Sequence, residues 1–278
     1  MTDLPQAMHE PSGLPGLEFD GHLRVLASLP PDPNLASARM FASWATEMPV
    51  IPRKDWKETE EDTFGVRILD QGSQGSCTGH MLATMFEHSW LRAGGQPVDF
   101  SACFGYGLCN GGSDRGAVVS DLCEVIQTVG ICTEKEVPPG MIFRNQFPRN
   151  AWTVAAKFKA FKIYRITNFD ELCTALMMRW VVGSGVQVGA NYADLDSNGV
   201  APLPRGGGGG HARSSHALRH VSGEWMSLTQ NSWGIRYGMN GRCYERERMY
   251  GRPGTLDAFA IKCVNPEAMD NLPPLVKV

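Results

Sequence analysis

The chain has 278 residues, a length sufficient for one large domain or two lobes around a buried core. Its formal net charge of −3 excludes the strongly basic surface on which nucleic-acid-binding proteins rely, so we expect no nucleic-acid partner. No stretch approaches the roughly 20 apolar residues of a membrane span, and the first residues carry neither the basic start nor the apolar run of a signal peptide. We therefore expect no membrane partner and a cytoplasmic or other intracellular location.

Residues 1–47 differ in character from the rest of the chain. They are rich in proline and contain one amphipathic stretch, in which Met40, Phe41 and Trp44 share a helical face. The sequence predicts an N-terminal extension over these residues, which packs on a main domain over residues 48–278.

A helix is predicted to begin at Cys77. The apolar residues that follow keep helical spacing, and two glycines then provide a stop signal. These residues are Met81, Leu82, Met85, Phe86 and Trp90, followed by Gly94 and Gly95. The pattern therefore places a thiol at a helix N-terminus.

The remaining patterns predict helices first and strands later. Helical spacing recurs over residues 116–129 and 168–179. Alternation and β-branched residues then predict strands, at residues 181–190, 216–221, 225–230 and 257–264. The glycine run within residues 205–210 predicts a flexible loop, since consecutive glycines disfavour regular structure. The order of elements indicates an α+β fold with a helical half and a β-rich half.

Eight cysteines are distributed along the chain without a Cys-x-x-Cys pair. Several of them, such as Cys123 and Cys173, lie in apolar helical patterns, which is typical of small reduced core residues. This usage predicts no disulfide framework and a reducing compartment.

Three segments contain the residue types of a nucleophilic site. A thiol attacks carbonyl groups as its thiolate, which a helix N-terminus and a nearby histidine both favour. Cys77 follows the sequence LDQGSQGS, His216 lies in the strand-like SHAL, and Asn231 lies in QNSWG.

These segments resemble the papain family of cysteine peptidases over roughly residues 48–264. The resemblance implies that Cys77 is the nucleophile, that His216 is its base, and that the Asn231 amide orients the base. It further implies that the Gln71 side chain and the Cys77 backbone N–H form the oxyanion hole. The Gly-Ser-Cys-Thr sequence around the nucleophile is similar to that of the bacterial and viral branch of the family.

Another histidine competes with His216 for the role of the base. Pairing Asn231 with His216 centres a hairpin turn just after Gly223, a good turn residue. Pairing it with His211 centres the turn on Val221, a good strand residue. We therefore predict His216 and keep His211 as the alternative base.

The resemblance also implies a floor of the substrate cleft, formed by small residues before the second helix. Two segments fit, and these are residues 109–112 and residues 114–117. Gly116 and Ala117 are preferred, because they lie at the family's distance from the helix that ends at Gly130. The other residues implied to bind substrate or to shield the site are Gly75, Ser76 and Trp233.

The fold implied is a two-lobed papain-like α+β fold, with a helical left half, a β-barrel-like right half and the cleft between them. The activity implied is that of a cysteine endopeptidase, which hydrolyses peptide or protein substrates through a thioacyl intermediate without a metal or organic cofactor. A zinc site is disfavoured, because no carboxylate or cysteine joins the histidines at ligand spacing.

Two alternative functions stay open. Arg219 and His220 are polar residues in a strand that is normally apolar in the family. They favour a structural or binding module with an unused site, in which the partner is a virus particle or another large protein assembly. An amidase or transamidase would use the same triad on a different acyl donor.

Overall fold

The computed structural model describes residues 15–30, 41–61, 65–251 and 257–263 of the chain. Within these ranges the helices are α1 (Trp44–Glu47), α2 (Cys77–Arg92), α3 (Ala102–Cys109), α4 (Val119–Thr128), α5 (Asn150–Ala155) and α6 (Phe169–Met177). The strands are β1 (Gly16–Phe19), β2 (His22–Val25), β3 (Ser28–Leu29), β4 (Ala117–Val118), β5 (Ala160–Ile166), β6 (Val181–Gly189), β7 (Gly208–Val221), β8 (Glu224–Gln230), β9 (Arg242–Arg246) and β10 (Asp257–Cys263). None of the helices in these ranges combines the length and the apolar sequence that crossing a membrane requires.

A six-stranded antiparallel sheet forms one lobe, in the strand order β5-β10-β6-β7-β8-β9. Successive residues of β10 enter two different cores, since Phe259 and Ile261 join the core around α2 while Ala258 and Ala260 join the core around α6. In the described part of the chain β5 and β9 are the two edges of the sheet, which is therefore open rather than closed into a barrel. The predicted α+β fold class is confirmed.

α2 is the central element of the helical lobe. It runs from Cys77 to Arg92, and Gly94 follows with a positive φ of 82°, so the predicted helix is confirmed. Nearly all of its residues are buried, because it packs on α3 and on three strands of the sheet. Aromatic contacts stabilise this core, such as that between Phe86 and Phe100 with ring centroids 4.8 Å apart. The buried helix fixes the position of its N-terminal thiol.

A long hairpin of β7 and β8 follows. Its turn is Ser222–Gly223, where both residues have positive φ, as a two-residue turn of this kind requires. The pairing register shifts between Ser215 and Ala217, so His216 is the extra residue of a β-bulge.

The glycine run is not a loop throughout. β7 begins at Gly208, and Gly208 to Gly210 pair with the last residues of β6. The prediction of a loop over the whole of residues 205–210 is therefore wrong, because pairing with a neighbouring strand holds the glycines in extended conformation.

Residues 15–29, here called the N-terminal segment, lie against later parts of the described chain. β1 and β2 form a hairpin, and β3 pairs in parallel with β4. The ring of Phe19 contacts those of Trp233 and Tyr237, with centroids 5.9 and 5.7 Å apart. The helix expected over the amphipathic stretch around Met40 lies outside the described residues, apart from α1.

Candidate active site

The Cys77 thiol lies at the first residue of α2 and is fully buried. Burial raises its pKa, while hydrogen bonds from the backbone of Ala212 and Ala27 act against this rise. Ala212 belongs to β7 and Ala27 to the N-terminal segment, so the thiol lies where the helical lobe, the sheet and this segment meet. The thiol is held neutral here, although a helix N-terminus by itself favours a negative charge.

His211 is the histidine that Asn231 contacts. Its Nε2 lies 2.7 Å from Asn231 Oδ1, and because that oxygen can only accept, Nε2 carries the ring proton. Asn231 Oδ1 also accepts the backbone N–H of Ser232 at 2.8 Å, which fixes the amide. His211 Nδ1 is buried without a hydrogen-bond partner among the described residues, so its lone pair is free to accept a proton.

Aromatic rings enclose the contact between His211 and Asn231. The ring centroid of Trp233 lies 4.9 Å from that of His211, and that of Tyr192 lies 5.9 Å away. Burial lowers the pKa of His211 to about 4, and the Asn231 hydrogen bond opposes this change in part. The imidazole is therefore neutral in the described structure.

The prediction that Asn231 pairs with His216 is wrong. The His216 ring stacks on that of His88 in α2, with centroids 4.4 Å apart. The backbone carbonyl of His216 accepts a hydrogen bond from Arg92 at 2.7 Å. His88 lies about 16 Å along the helix from Cys77 at the usual rise per residue. His216 therefore lies near the opposite end of α2 from the thiol.

The hairpin geometry explains this difference. The turn at residues 222–223 lies earlier than predicted, and the bulge shifts the register of β7. Gln230 consequently lies opposite Ser214, and Asn231 beyond the end of β8 reaches His211 diagonally. A β-bulge has no distinct sequence pattern, so counting from an assumed turn selected the other histidine.

Gln71 is held in the site by the residue that follows Asn231. Its Oε1 accepts a hydrogen bond from Ser232 Oγ at 2.7 Å, and its backbone N–H donates to the Ser232 carbonyl at 2.9 Å. Its Nε2 donates to the carbonyl oxygens of Val25 at 3.2 Å and Gln74 at 2.9 Å. The amide therefore already binds a carbonyl oxygen of the N-terminal segment, which is the interaction an oxyanion-hole donor makes.

Tyr106 and Asp114 join two loops that were predicted to bind substrate. Asp114 Oδ1 accepts hydrogen bonds from the Tyr106 hydroxyl at 2.6 Å and from the Gly75 N–H at 2.9 Å. The Tyr106 oxygen in turn accepts the Gly116 N–H at 3.1 Å. Ser76 is buried at the N-cap of α2. Sequence reasoning missed Tyr106, because a tyrosine in an apolar helical pattern gives no sign that its hydroxyl is used.

Gly116 and Ala117 lie along the cleft. The Ala117 N–H donates to the Ala27 carbonyl at 3.3 Å, next to the thiol. The alternative segment, residues 109–112, instead contributes to a separate cavity beside Trp152. The geometry thus favours residues 114–117 over residues 109–112.

The N-terminal segment fills this cleft above Cys77, and we call the described arrangement the closed form. A Cβ at Gly116 would lie 2.0 Å from the Ala27 carbonyl oxygen, and one at Gly210 would lie 2.0 Å from that of Ser28. Both glycines therefore permit a close approach of the segment backbone.

An ion pair anchors the segment beside the site. The Arg24 guanidinium is buried, and it bonds to the Asp70 carboxylate and to the Gly72 carbonyl, the latter at 3.3 Å. Asp70 immediately precedes Gln71, so this anchor lies next to the amide that contacts the segment.

A second ion pair lies wholly inside the sheet lobe, close to His211. Arg213 Nη2 lies 2.6 Å from Glu245 Oε2, and both side chains are fully buried. The hydroxyl groups of Tyr192 and Tyr250 donate to Glu245 at 2.7 and 2.9 Å. This network was not predicted from the sequence, because the partners of Arg213 come from distant parts of the chain.

The histidines of β7 do not converge on one point. His211 and His216 lie apart, and His220 is exposed beside the ring of Trp225, with centroids 4.9 Å apart. Within the described ranges, no three His, Cys, Asp or Glu side chains are arranged to hold a metal ion.

Comparison with known proteins adds a curated relative. No family model matches the chain. Cysteine proteinase 3 of Dictyostelium discoideum is 27% identical over 204 residues, which make up 67% of this chain and 56% of that protein. The chain thus matches little more than half the length of this relative.

Solved structures resemble most of the chain in fold. Xylellain, a cysteine protease from Xylella fastidiosa, has a TM-score of 0.65 at 23% identity, over 87% of this chain and 98% of that chain. The chain has the papain-like cysteine protease fold. Procathepsin B S9 from Trypanosoma congolense shares this papain-like fold with a TM-score of 0.62 at 16% identity, over 84% of this chain and 90% of that chain. The bromelain protease from Ananas comosus has a TM-score of 0.59 at 19% identity, over 77% of this chain and 100% of that chain.

Proposed function

We propose that the chain is a cysteine endopeptidase in which Cys77 is the nucleophile, His211 its base and Asn231 the residue that orients the base. The strongest support is the 2.7 Å contact between His211 and Asn231. His211 lies in β7, and the next residue of that strand, Ala212, contacts the Cys77 thiol. The similarity to a curated cysteine proteinase supports the class of reaction and a peptide or protein substrate. His211, the alternative base of the sequence analysis, thereby replaces His216.

In the proposed reaction, His211 Nδ1 takes the proton of the Cys77 thiol, and the thiolate attacks the carbonyl carbon of the substrate peptide bond. The Cys77 N–H and Gln71 Nε2 stabilise the negative oxygen that forms. The C–N bond then breaks as His211 returns the proton to the leaving amine, which leaves a thioester on Cys77. Water, deprotonated by His211, hydrolyses this thioester and regenerates the thiol. Asn231 keeps the proton-bearing Nε2 turned away from the sulfur.

Substrate binding requires that the N-terminal segment leave the cleft. In the closed form Cys77 has no exposed surface, and Gln71 Nε2 is engaged by the Val25 carbonyl. Arg24 and Asp70 hold the segment in place. We therefore propose that the closed form is inactive and that displacement of the segment completes the site.

Labelling with an epoxysuccinyl peptide probe in reducing buffer tests the triad. The full chain with Arg24→Ala, which weakens the hold on the segment, is expected to be modified at Cys77, and Cys77→Ala provides the blank. In that background His211→Ala is expected to slow labelling by about 100-fold or more, because it removes the base. His216→Ala is expected to change the rate by less than about threefold, since this residue lies away from the thiol. Mass mapping of the digested protein locates the modified residue.

Two outcomes of this experiment contradict the proposal. A greater loss of labelling with His216→Ala than with His211→Ala, in variants whose thermal unfolding shows that they are folded, overturns the choice of base. Failure of the probe to modify a folded chain favours the structural or binding module of a large assembly. Products formed mainly with added amines, rather than with water, would indicate a transamidase.

Two finer assignments belong to the same proposal. The Gly-Ser-Cys-Thr sequence around Cys77 supports an affinity with the bacterial and viral branch of the papain-like proteins. All eight cysteines are free thiols, which supports a reducing, intracellular site of action.

A further inference from the structure

Tyr106 lies in α3 at the point where this helix touches the start of α2. A Cβ at Gly79, in the first turn of α2, would lie 2.3 Å from the Ala102 carbonyl oxygen and 2.7 Å from the Tyr106 Cβ. The two helices therefore meet with no side chain between them, which only glycine permits. Tyr106 is fully buried at this contact. Its position is thus fixed relative to Cys77, which begins the same turn of α2.

The Tyr106 hydroxyl holds the loop of residues 114–117, here called the floor segment. It donates to Asp114 Oδ1 at 2.6 Å and accepts the Gly116 N–H at 3.1 Å. Burial and the hydrogen bond to Asp114 raise the pKa of Tyr106, so the hydroxyl keeps the proton that it donates. One hydroxyl therefore uses both its donor and an acceptor site on the floor segment, which fixes this segment at two points.

Asp114 connects the floor segment to residues 75–77, here called the nucleophile loop. The oxygen that receives the Tyr106 hydroxyl, Oδ1, also accepts the Gly75 N–H at 2.9 Å. The contact is close, since a Cβ at Gly75 would lie 3.1 Å from Asp114 Oδ1 and 3.2 Å from the Tyr106 oxygen. A single oxygen atom thus joins α3, the floor segment and the nucleophile loop.

The backbone of the N-terminal segment lies against both of these loops in the closed form. The Ala27 Cβ would lie 3.2 Å from a Cβ at Gly75 and 3.0 Å from one at Gly116. The Ala27 carbonyl accepts the Ala117 N–H at 3.3 Å, and the Ala27 backbone also contacts the Cys77 thiol. The distance between the two loops therefore decides whether a chain can bond to Ala117 and lie against the thiol at the same time.

We propose that Tyr106 and Asp114 are positioning residues, which hold the floor segment at the distance from Cys77 that attack on a bound peptide requires. Both act through the backbone of the two loops rather than on the reacting atoms. A misplacement of about 1 Å in such an arrangement can slow a reaction by about 100-fold. This inference rests on the proposed peptidase function and concerns how its site is held together.

Two reagents that modify Cys77 distinguish positioning from reactivity. The epoxysuccinyl peptide probe has to bind along the floor segment before it reacts, whereas iodoacetamide needs only an accessible thiolate. We measure both rates in the full chain with Arg24→Ala, and mass mapping separates Cys77 from the other free cysteines. The rate for the probe divided by the rate for iodoacetamide, here called the rate ratio, does not depend on the fraction of molecules with an open cleft.

Tyr106→Phe removes the hydroxyl and keeps the ring, while Asp114→Ala removes the shared oxygen. Each is expected to lower the rate ratio by about tenfold or more, because the floor segment is no longer held. The double variant is expected to lower it little further, since both changes break the same connection. Asp114→Asn keeps an oxygen acceptor, so this conservative variant is expected to keep the rate ratio within about threefold of the Arg24→Ala chain.

Tyr164→Phe is the matched control. The Tyr164 hydroxyl also donates to a carboxylate, that of Glu47, at 2.7 Å, and the residue is buried. Its ring packs on those of Trp44 and Trp180 in the sheet lobe, away from the floor segment. The same chemical change is therefore expected to leave the rate ratio as it was.

A rate ratio that Tyr106→Phe and Asp114→Ala both leave unchanged, in chains that thermal unfolding shows to be folded, overturns the proposal. An equal fall with Tyr164→Phe does so too, because the effect would then not come from the cleft. Where Tyr106→Phe does not fold, Asp114→Ala decides alone, since Asp114 lies in a loop and is only partly buried.

Peptide hydrolysis separates the failure of this inference from the failure of the proposed function. With fluorogenic peptides, Tyr106→Phe in the Arg24→Ala chain is expected to lower kcat/KM by about tenfold or more. A folded chain that hydrolyses peptides equally well without the Tyr106 hydroxyl overturns the inference and leaves the proposed function intact. A chain whose rate ratio falls as expected but that hydrolyses no peptide contradicts the proposed function instead.

Discussion

At the residue scale, the closed form keeps both reacting groups of the proposed triad neutral. Burial raises the pKa of Cys77 and lowers that of His211 to about 4. Water that enters when the N-terminal segment leaves reverses both changes, because hydration favours the charged forms. The thiolate and imidazolium would therefore form when the cleft opens. The burial that covers the site is also what keeps the two groups uncharged.

Acidification is expected to weaken the closed form through His211. Its pKa is about 4 in the folded chain and near 6.5 when it is exposed, so the unfolded chain binds more protons between these values. The contribution of neutral His211 to the free energy of unfolding is complete above about pH 6.5. It is lost as the pH falls toward 4, which lowers the free energy of unfolding by up to about 3 kcal/mol. Melting temperatures measured from pH 7.5 to pH 4.5 for the wild type and His211→Gln test this.

The comparison with His211→Gln removes the contribution of other titrating groups. Glu87 and Asp257 have raised pKa values of about 7 and titrate in the same range, but they are present in both proteins. The wild type is expected to lose more stability than the variant as the pH falls. Parallel curves for the two proteins would show that His211 is not responsible.

The sequence was sufficient to predict a shared neighbourhood for some of the candidate site residues but not for all. In the structure, Cys77, Gln71 and Asn231 are brought together around Ser232 and Ala212, and their catalytic roles stay predictions. The choice between His211 and His216 depended on a bulge, which arises from packing against other elements rather than from local propensity.

At the element scale, periodicity predicted the long elements because each buries one continuous face. α2, α4 and α6 and the strands β6, β8 and β10 lie where the patterns indicated. The short strands of the N-terminal segment were not predicted, since β3 exists only through its pairing with β4 and has no pattern of its own. The start of β7 within the glycine run has the same origin, namely pairing with β6.

Gly210→Ala is expected to displace the N-terminal segment and expose Cys77. The new Cβ would lie 2.0 Å from the Ser28 carbonyl oxygen, and overpacking of this kind typically costs about 1–3 kcal/mol. The rate of labelling of Cys77 by the epoxysuccinyl probe is therefore expected to rise about tenfold or more in an otherwise unchanged chain.

Gly207→Ala is the matched control for this substitution. No atom lies within 4 Å of a Cβ at Gly207, so the same chemical change is expected to leave the labelling rate as it was. Equal rates for Gly210→Ala, Gly207→Ala and the wild type would mean that close packing at Gly210 does not hold the segment in the cleft.

At the scale of the whole molecule, buried polar contacts tie the lobes together. Arg67 Nη2 lies 2.7 Å from Glu87 of α2. The backbone carbonyl of Arg67 accepts a hydrogen bond from Gln230 of β8 at 2.6 Å. Deeper in the sheet lobe, Arg213 and Glu245 form the fully buried ion pair near the proposed base. The Arg67 contacts favour one arrangement of the lobes, and the Arg213–Glu245 pair favours one arrangement of the strands within the sheet lobe, because a buried charge tolerates few alternatives.

Glu245→Gln is expected to reduce the free energy of unfolding by about 3–5 kcal/mol, because it leaves the Arg213 guanidinium buried with its charge unpaired. Glu247→Gln makes the same chemical change in the ion pair between Glu247 and Arg53. The two side chains lie 2.7 Å apart, and both are about half exposed. That loss is expected to stay below about 1 kcal/mol. Urea unfolding monitored by tryptophan fluorescence measures both, and losses of similar size would contradict the role assigned to burial.

The N-terminal segment and the cleft that it fills belong to the same chain. A tethered ligand acts at a high effective concentration, in the millimolar range for a short connection, so dilution does not release it and a free substrate competes poorly. A single cut between Leu29 and Phe41 would make the segment a separate peptide, whose occupancy then depends on the protein concentration. In dilute solution the peptide would not return, so each molecule would leave the closed form only once.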